Sequence, residues 1–298
     1  ANLSNESRYP EDEVLFDVEG KWEVTFDYHK KEHEKAIGVF ENCKTKCGYG
    51  GYLSNKVIGT FLTETGDYRF LEGASIKDSL YLSTFDGSHA FLFKAKMKSD
   101  TLWGEFLSGK HYKTKWYAVK NDDFVIGNPD SLTFLVNEDP ITFSLPDVDG
   151  GTYTYPNEDT EGKVTLIQIL GTWCPNCLDE TKFLVEYMAE NKDIEVIGLA
   201  FESAKTEDKA FKGIQRLKDR IGVGYPILLA QYGTYDKLKA QEKLPMLNHV
   251  LSYPTTIFID KKGNVRKIHT GFNGPATGEK YIEFKKEFNE LVTQLNNE

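Results

Sequence analysis

The chain has 298 residues, which is long for one hydrophobic core and suits two domains. Hydrophobic residues make up 40% and charged residues 28%, a composition typical of folded proteins that argues against extended disorder. The formal net charge of −10 excludes the basic footprint that binding to nucleic acid requires.

The segment 20–120 consists of short runs rich in β-branched and aromatic residues, separated by turn-forming residues. Within the first run, Trp22, Val24 and Phe26 alternate with polar residues, which predicts one buried and one solvent-facing side. The pattern predicts an all-β antiparallel domain over 14–126, either a curled sheet or an open barrel. We interpret it as a recognition module. Its clearest predicted strands are 21–28, 57–63, 79–84 and 90–96.

The pattern changes after 121–140, where Gly127, Asn128 and Pro129 indicate a domain boundary. From there strands alternate with helices, which predicts an α/β sheet with covered faces in a C-terminal domain over 135–298. The predicted strands are 164–170, 194–201, 226–230, 255–260 and 265–270, and the predicted helices are 176–191, 206–221 and 279–296.

A Cys-x-x-Cys pair, Cys174 and Cys177, follows a predicted buried strand and opens a predicted helix. The positive end of the helix dipole favours a thiolate at the first cysteine, which makes Cys174 the predicted nucleophile. Cys177 lies one turn further on, where it can resolve a mixed disulfide. Pro175 is tolerated because the first helical residue has no need of its amide hydrogen.

Two other interpretations of this pair are a zinc site and a purely structural disulfide. A zinc site needs more ligands, and the other histidines in this half of the chain are His249 and His269. A structural bridge would not require the flanking strand and helix. We therefore predict dithiol chemistry with no metal and no dissociable cofactor.

The segment 169–177, Ile-Leu-Gly-Thr-Trp-Cys-Pro-Asn-Cys, resembles the active-site segment of the thioredoxin superfamily and, more narrowly, of the TlpA/ResA-like thiol-disulfide oxidoreductases. Tyr253-Pro254, before a predicted strand, is similar to the cis-proline segment that faces the dithiol in that family. The resemblance covers roughly 140–298. It implies a thioredoxin fold and electron exchange with protein disulfides, in which Trp173, Pro175, Tyr253 and Pro254 contact the substrate and leave backbone groups free to pair with it.

Gln168 stands where classical thioredoxins have a buried aspartate, so another proton acceptor is needed. Glu180 matches an acidic residue near the dithiol in ResA-like proteins, and the resemblance implies that it accepts a thiol proton. The alternative is an exposed glutamate favoured by the helix dipole. Glu202, at the end of a predicted strand, is a second candidate.

Cys43 and Cys47 lie in a Gly-rich stretch of the predicted β domain. We expect them to form a structural disulfide that closes a surface loop. A zinc site that also includes His29 and His33 is the alternative.

The chain begins at Ala1 with a polar stretch, as a mature form would after removal of an export signal, and its paired cysteines suit an oxidising compartment. We therefore expect a periplasmic or otherwise extracytoplasmic protein. Its expected partners are protein disulfide or dithiol substrates and a thiol electron donor. The longest apolar run, 164–170, is too short for a membrane-spanning helix, and a tether would not be visible in this sequence.

The resulting hypothesis is a thiol-disulfide oxidoreductase that reduces disulfides of exported proteins. A peroxiredoxin-like peroxidase is an alternative, because the segment 143–147, Phe-Ser-Leu-Pro-Asp, resembles the entry segment of that relative. Another alternative is a ligand-binding β module with a redox-sensitive scaffold. Insulin reduction measured beside peroxide turnover separates the three.

Overall fold

The computed structural model describes residues 17–42, 56–85, 89–110, 112–137, 139–234, 236–250 and 252–298. The chain divides into two compact units. Unit 1 comprises the residues up to Gly127 together with Pro275–Gly278, and unit 2 comprises Asn128–Gly274 and Glu279–Glu298. Cys43 and Cys47 lie outside the described residues, so the disulfide between them stays a prediction.

Unit 1 is an antiparallel β structure in which each long strand pairs with the next along the chain. Its long strands are β1 (Gly20–Phe26), β2 (Glu34–Asn42), β3 (Lys56–Thr63), β5 (Leu71–Ile76), β6 (Ser79–Phe85), β7 (Ala90–Lys98), β8 (Thr101–Ser108) and β9 (Tyr112–Lys120), and the two-residue β4 (Gly66–Asp67) pairs with β3 alone.

The expected curled sheet or open barrel is wrong in one respect, because the barrel is closed. β9 pairs with β1, and the additional pairing of β2 with β3 joins the ends of the sheet into an eight-stranded ring. Closure gives both edge strands a hydrogen-bonding partner, which an open sheet leaves unpaired. The sequence pattern showed the strands but not which of them would meet across the ring.

Aromatic side chains fill the interior of the barrel. Phe93 stacks on Phe61 with ring centroids 4.3 Å apart and on Phe106 at 4.4 Å, and the buried Trp116 meets Phe61 edge-on at 5.3 Å. Tyr68 packs against Phe106 at 5.0 Å, and burial raises the pKa of its hydroxyl well above the ordinary value. The described residues therefore form a packed core at the centre of the barrel.

Unit 2 alternates strands and helices. Its strands are β10 (Phe143–Pro146), β11 (Thr152–Tyr155), β12 (Val164–Leu170), β13 (Ile194–Phe201), β14 (Ile227–Gln231), β15 (Thr255–Ile259) and β16 (Val265–Thr270), and its helices are α1 (Pro175–Glu190), α2 (Glu207–Ile221), α3 (Lys237–Lys243) and α4 (Glu279–Asn297).

The central sheet of unit 2 has the strand order β14-β13-β12-β15-β16. β12, β13 and β14 are parallel, whereas β15 runs antiparallel to β12 and forms a hairpin with β16. β12 lies at the centre and all seven of its residues are buried. This position explains its apolar sequence, since a strand covered on both faces has no solvent side. It also places the segment that follows β12 at the middle of the sheet edge.

Among the described residues, none of the helices combines the length and the apolar character needed to cross a membrane.

Candidate active site

The two cysteines of unit 2 lie where β12 ends and α1 begins. Cys174 is the N-cap residue of α1, and its Sγ accepts the backbone N–H of Cys177 at 3.3 Å. Pro175 occupies the first helical position, where the missing amide hydrogen leaves no intrahelical bond unmade. The sulfur thus takes the place that a serine or aspartate oxygen fills at other helix starts, and it faces the positive end of the helix dipole.

Both sulfurs belong to buried residues and are present as free thiols. Burial raises the pKa of Cys177 well above its ordinary value, and its hydrogen bond to Cys174 raises it further. Because Cys177 is 1% exposed against 6% for Cys174, a partner reaches the first sulfur more readily. The geometry therefore makes the two thiols unequal.

The segment containing Pro254 faces the first cysteine. The Tyr253–Pro254 peptide bond is cis, and the thiol of Cys174 donates to the Tyr253 carbonyl at 3.3 Å. Trp173 meets the Tyr253 ring edge-on at 5.5 Å and is 36% exposed. These residues together form a surface beside the sulfur that a partner can contact.

Two carbonyls of the segment expected to pair with a substrate already have hydrogen-bonding partners in the dithiol state. The Tyr253 carbonyl accepts the Cys174 thiol, and the Pro254 carbonyl accepts the N–H of Gly271 at 2.8 Å. Sequence reasoning missed this because neither the thiol nor Gly271 is close to Pro254 in the chain. Only the bond from the thiol changes when the sulfur reacts.

Glu180 is fully buried on α1 and belongs to a network of polar side chains. Its Oε2 accepts from Gln168 Nε2 at 2.7 Å, and its Oε1 accepts from Thr256 Oγ1 at 2.9 Å. Gln168 in turn accepts from the hydroxyls of Thr181 at 3.2 Å and Tyr225 at 3.4 Å. The expected alternative of an exposed first-turn glutamate is therefore wrong.

Burial raises the pKa of Glu180 to about 7, although hydrogen bonds from Gln168 and Thr256 stabilise the carboxylate and lower it in part. A group with this pKa exchanges its proton near neutral pH. Because Glu180 follows Cys177 by three residues on the same helix, both lie on one side of α1. The arrangement places a titrating carboxyl group beside the buried thiol.

Glu202 does not join this network. Its carboxylate accepts the backbone N–H and the hydroxyl of Thr172, each at 2.7 Å, and burial raises its pKa. The indole N–H of Trp173 donates to the Phe201 carbonyl at 3.0 Å, so three hydrogen bonds tie the segment before Cys174 to the end of β13. The structure thus assigns Glu202 to holding the active-site segment.

Sequence reasoning did not identify Gln168 and Thr256 as partners of Glu180, nor Thr181 and Tyr225 as partners of Gln168. Their only signal is a polar residue within an otherwise apolar strand or helix face, as with Gln168 in β12. His29 and His33 lie in unit 1, far from these residues in sequence.

Part of the chain is similar to known proteins. Residues 136–268 match the AhpC/TSA family. Over 115 residues the chain is 30% identical to the thioredoxin-like protein YneN of Bacillus subtilis (strain 168), a match that covers 38% of this chain and 60% of that protein.

Two further relatives carry names that state an activity. The thiol-disulfide oxidoreductase ResA of Halalkalibacterium halodurans is 28% identical over 149 residues, which cover 50% of this chain and 76% of that protein. The thiol:disulfide interchange protein DsbE of Escherichia coli (strain K12) is 27% identical over 170 residues, which cover 56% of this chain and 82% of that protein. A crystal structure of a thiol:disulfide interchange protein from Chlorobium tepidum TLS aligns at 19% identity with a TM-score of 0.39, covering 54% of this chain and 98% of that one.

The resemblance drawn from the sequence is confirmed. Unit 2 is a thioredoxin-like domain, similar to the thiol-disulfide oxidoreductase ResA, the thiol:disulfide interchange protein DsbE and the thioredoxin-like protein YneN.

Proposed function

We propose that this protein reduces disulfide bonds of exported proteins through Cys174 and Cys177, in the periplasm or another extracytoplasmic compartment. The observation that carries the proposal is the position of Cys174, whose sulfur caps α1, accepts the Cys177 N–H at 3.3 Å and lies against the Tyr253 carbonyl. This placement provides a nucleophilic sulfur, a second sulfur one turn away and a contact surface for the substrate chain.

The reaction proceeds through two exchanges. The Cys174 thiolate attacks one sulfur of the substrate disulfide, a mixed disulfide forms, and the other substrate sulfur leaves as a thiolate. The Cys177 thiol then gives its proton to the Glu180 carboxylate, and the resulting thiolate attacks Cys174, releasing the second substrate sulfur. The substrate gains two electrons and the protein ends as the Cys174–Cys177 disulfide, which a thiol donor reduces again.

Glu180 is suited to the proton step because its pKa of about 7 allows it to accept and return a proton near neutral pH. Trp173, Pro175, Tyr253 and Pro254 form the substrate contact in this proposal. No dissociable cofactor takes part.

The barrel of unit 1 acts in this proposal as a module that recognises the partner protein. Its outer surface carries a groove of about 320 Å³ lined by exposed Tyr81 and Trp103 and by Lys94 and Lys96. Aromatic side chains of this kind are common in protein contacts. For the alternative of a ligand-binding β module with a redox-sensitive scaffold, the aromatic core of the described residues leaves the outer surface as the place for a ligand.

The test uses insulin reduction beside hydrogen peroxide turnover, with wild type, Cys174→Ser and Cys177→Ser. We predict that Cys174→Ser abolishes insulin reduction, whereas Cys177→Ser accumulates mixed disulfides because it lacks the resolving sulfur. Mass spectrometry under non-reducing conditions detects the adducts.

Adducts formed by Cys174→Ser and not by Cys177→Ser would reverse the two roles. Peroxide turnover without insulin reduction would establish the peroxidase alternative. The redox potential of the dithiol decides the direction of electron flow, since a reductase must have a lower potential than the disulfides it reduces.

A further inference from the structure

The outer face of the barrel over β6, β7, β8 and β9 is basic, although the chain as a whole carries a formal net charge of −10. Exposed and buried residues alternate along β7, so every second residue faces outward. We call the outward side of these four strands the basic face. Its charged residues are five lysines and one glutamate: Lys94, Lys96, Lys98, Lys113, Lys115 and Glu105.

Aromatic rings lie among these lysines. Trp103 is 42% exposed and stands directly opposite Lys96 on β7 and Tyr117 on β9. Its ring lies 5.4 Å from that of Tyr117, and Tyr28 meets both rings edge-on at 5.6 Å and 5.5 Å. With Tyr81 on β6, Trp103 and Tyr28 line the groove of about 320 Å³ described above. The rings support one another and leave an apolar contact surface between positive charges.

Three of the lysines have an acidic neighbour. Glu105 pairs with Lys113 at 2.7 Å and with Lys94 at 2.9 Å, and hydrogen bonds from these two lysines hold its pKa below the ordinary value. Lys96 pairs with Asp78 at 3.4 Å. Glu105 therefore stays ionised at neutral pH, but one carboxylate cannot neutralise two ammonium groups.

The other two lysines of the basic face are available to a partner. In the part of the chain that the structure describes, no carboxylate lies within ion-pairing distance of Lys98 or Lys115. Both side chains are exposed. An incoming carboxylate can therefore pair with either of them without displacing an existing ion pair.

The spacing of the lysines on β7 fits an extended chain. Lys94, Lys96 and Lys98 are each two residues apart on one strand, so their positions repeat at about 6.6 to 6.8 Å. Alternate residues of another extended chain repeat at the same distance. Acidic residues at every second position of such a chain would meet successive lysines, whereas a helix has no such repeat.

We propose that the basic face docks an extended segment of the partner protein in which acidic residues alternate and one apolar or aromatic side chain enters the groove beside Trp103. The proposal rests on the recognition role proposed above for unit 1 and names the chemistry of the segment recognised. Because the chain is acidic overall, an acidic segment is attracted to this face and repelled elsewhere. The charge pattern thus determines where the partner binds.

The experiment measures fluorescence anisotropy of a fluorescein-labelled, cysteine-free peptide with the reduced full-length protein at low ionic strength. Glutamate alternates with serine in the peptide, and a tyrosine replaces one central serine. A second peptide has lysine at each glutamate position. We expect the acidic peptide to bind and the basic peptide not to bind, with an affinity that falls as salt is added.

The test variant combines Lys98→Glu with Lys115→Glu. Neither change breaks an ion pair of the described residues, and circular dichroism checks the fold. We expect the affinity for the acidic peptide to fall at least about tenfold, because each change replaces an attraction by a repulsion. The matched control combines Lys209→Glu with Lys212→Glu, two exposed positions of α2 in unit 2, and should bind like the wild type.

Trp103→Ala tests the aromatic part of the surface without changing the charge. We expect a loss of affinity of about tenfold, since large exposed aromatic side chains contribute strongly to protein contacts. An unchanged affinity would mean that charge alone attracts the peptide, and it would overturn the proposal of a docked segment.

Other outcomes also overturn the proposal. They are equal binding of both peptides, equal losses in the α2 control, and binding of dextran sulfate without binding of the acidic peptide, which would assign the face to an anionic polysaccharide. Cys174→Ser should bind the peptide like the wild type, because docking needs no exchange. Insulin reduction by a protein that does not bind the peptide rejects docking alone. Peptide binding by a protein that reduces no disulfide supports docking and rejects the reductase function.

Discussion

Glu180 shows how burial and hydrogen bonding compete at a single residue. Two donors, Gln168 and Thr256, stabilise its ionised form, yet loss of water outweighs them and the pKa rises to about 7. A more exposed carboxylate would remain ionised throughout the neutral range and would be a poor proton acceptor for a thiol. The position of the residue inside the unit therefore determines its chemistry.

This pKa also predicts how stability depends on pH. An unfolded glutamate titrates near 4.5, so between about pH 4.5 and 7 the folded protein keeps a proton that the unfolded chain releases. Stability contributed by Glu180 therefore falls as pH rises through this window, by an amount on the order of 3 kcal/mol. Glu180→Gln removes this dependence while its amide can still bond Gln168 and Thr256.

Urea unfolding of unit 2 at several pH values measures the effect. As pH rises to about 8, the unfolding free energy of the wild type should fall relative to that of Glu180→Gln. Parallel curves for the two proteins would show that Glu180 has no raised pKa.

At the residue scale the sequence predicted part of this site. Cys174 caps α1, and Cys177 and Glu180 lie in the first turns of that helix, so their spacing alone indicates that they lie close together. The sequence did not indicate that Glu202 bonds Thr172, because the two residues are 30 positions apart in the chain.

At the scale of elements, the active site depends on the short segment that joins β12 to α1. The segment has no regular structure of its own, and Glu202 and the Phe201 carbonyl hold it through Thr172 and Trp173. A buried carboxylate that accepts two hydrogen bonds holds such a segment more strongly than a neutral acceptor does. The sulfur of Cys174 is thereby held at the helix start without a covalent constraint.

We predict that Glu202→Ala destabilises unit 2 by about 2 kcal/mol, because the amide and hydroxyl of Thr172 lose a charged acceptor. Glu202→Gln should cost less, since its amide oxygen can still accept the Thr172 N–H. Chemical denaturation of both variants makes the comparison. Equal stability of Glu202→Ala and wild type would show that the bonds to Thr172 contribute nothing.

Long and strongly patterned elements were predictable, and short ones were not. The predicted strands 164–170 and 194–201 coincide with β12 and β13, and the predicted helix 279–296 differs from α4 by one residue. The hairpin of β10 and β11 and the seven-residue α3 were missed. Such short elements have too few residues to show the hydrophobic periodicity of a helix or a strand. Their stability comes from packing onto the rest of the unit.

At the scale of the whole molecule, each unit has a hydrophobic core of its own. The core of unit 1 is dominated by aromatic rings, whereas that of unit 2 is built mainly from aliphatic residues on both faces of the sheet. Two separate cores imply two folding units whose stabilities can be changed independently. The residues of the proposed dithiol chemistry all lie in unit 2.

Gly73 on β5 allows this independence to be tested. A Cβ at this position would lie 1.7 Å from the Tyr81 carbonyl oxygen, so the strands β5 and β6 would have to separate. We predict that Gly73→Ala destabilises the barrel by more than about 3 kcal/mol while reduction of a small disulfide by unit 2 continues at the wild-type rate.

The fluorescence of Trp22, Trp103 and Trp116 in unit 1 reports unfolding of the barrel, and insulin reduction then shows whether protein substrates need it. Gly224→Ala is the control, because a Cβ there has no neighbouring atom within 4 Å. Loss of small-disulfide reduction together with the barrel would contradict the independence of the two units.

The hydrogen bond from the Cys174 thiol to the Tyr253 carbonyl has a kinetic consequence. Its donor is the proton that the sulfur gives up when it reacts, so the carbonyl becomes available to a substrate amide only once the exchange has begun. When a thiol donor restores the sulfur to its protonated form, the thiol competes for the same oxygen and displaces whatever is bound there. In the proposed reaction, each return of Cys174 to its thiol form thus favours departure of a substrate chain bound at this carbonyl, while the redox potential sets the direction of the exchange.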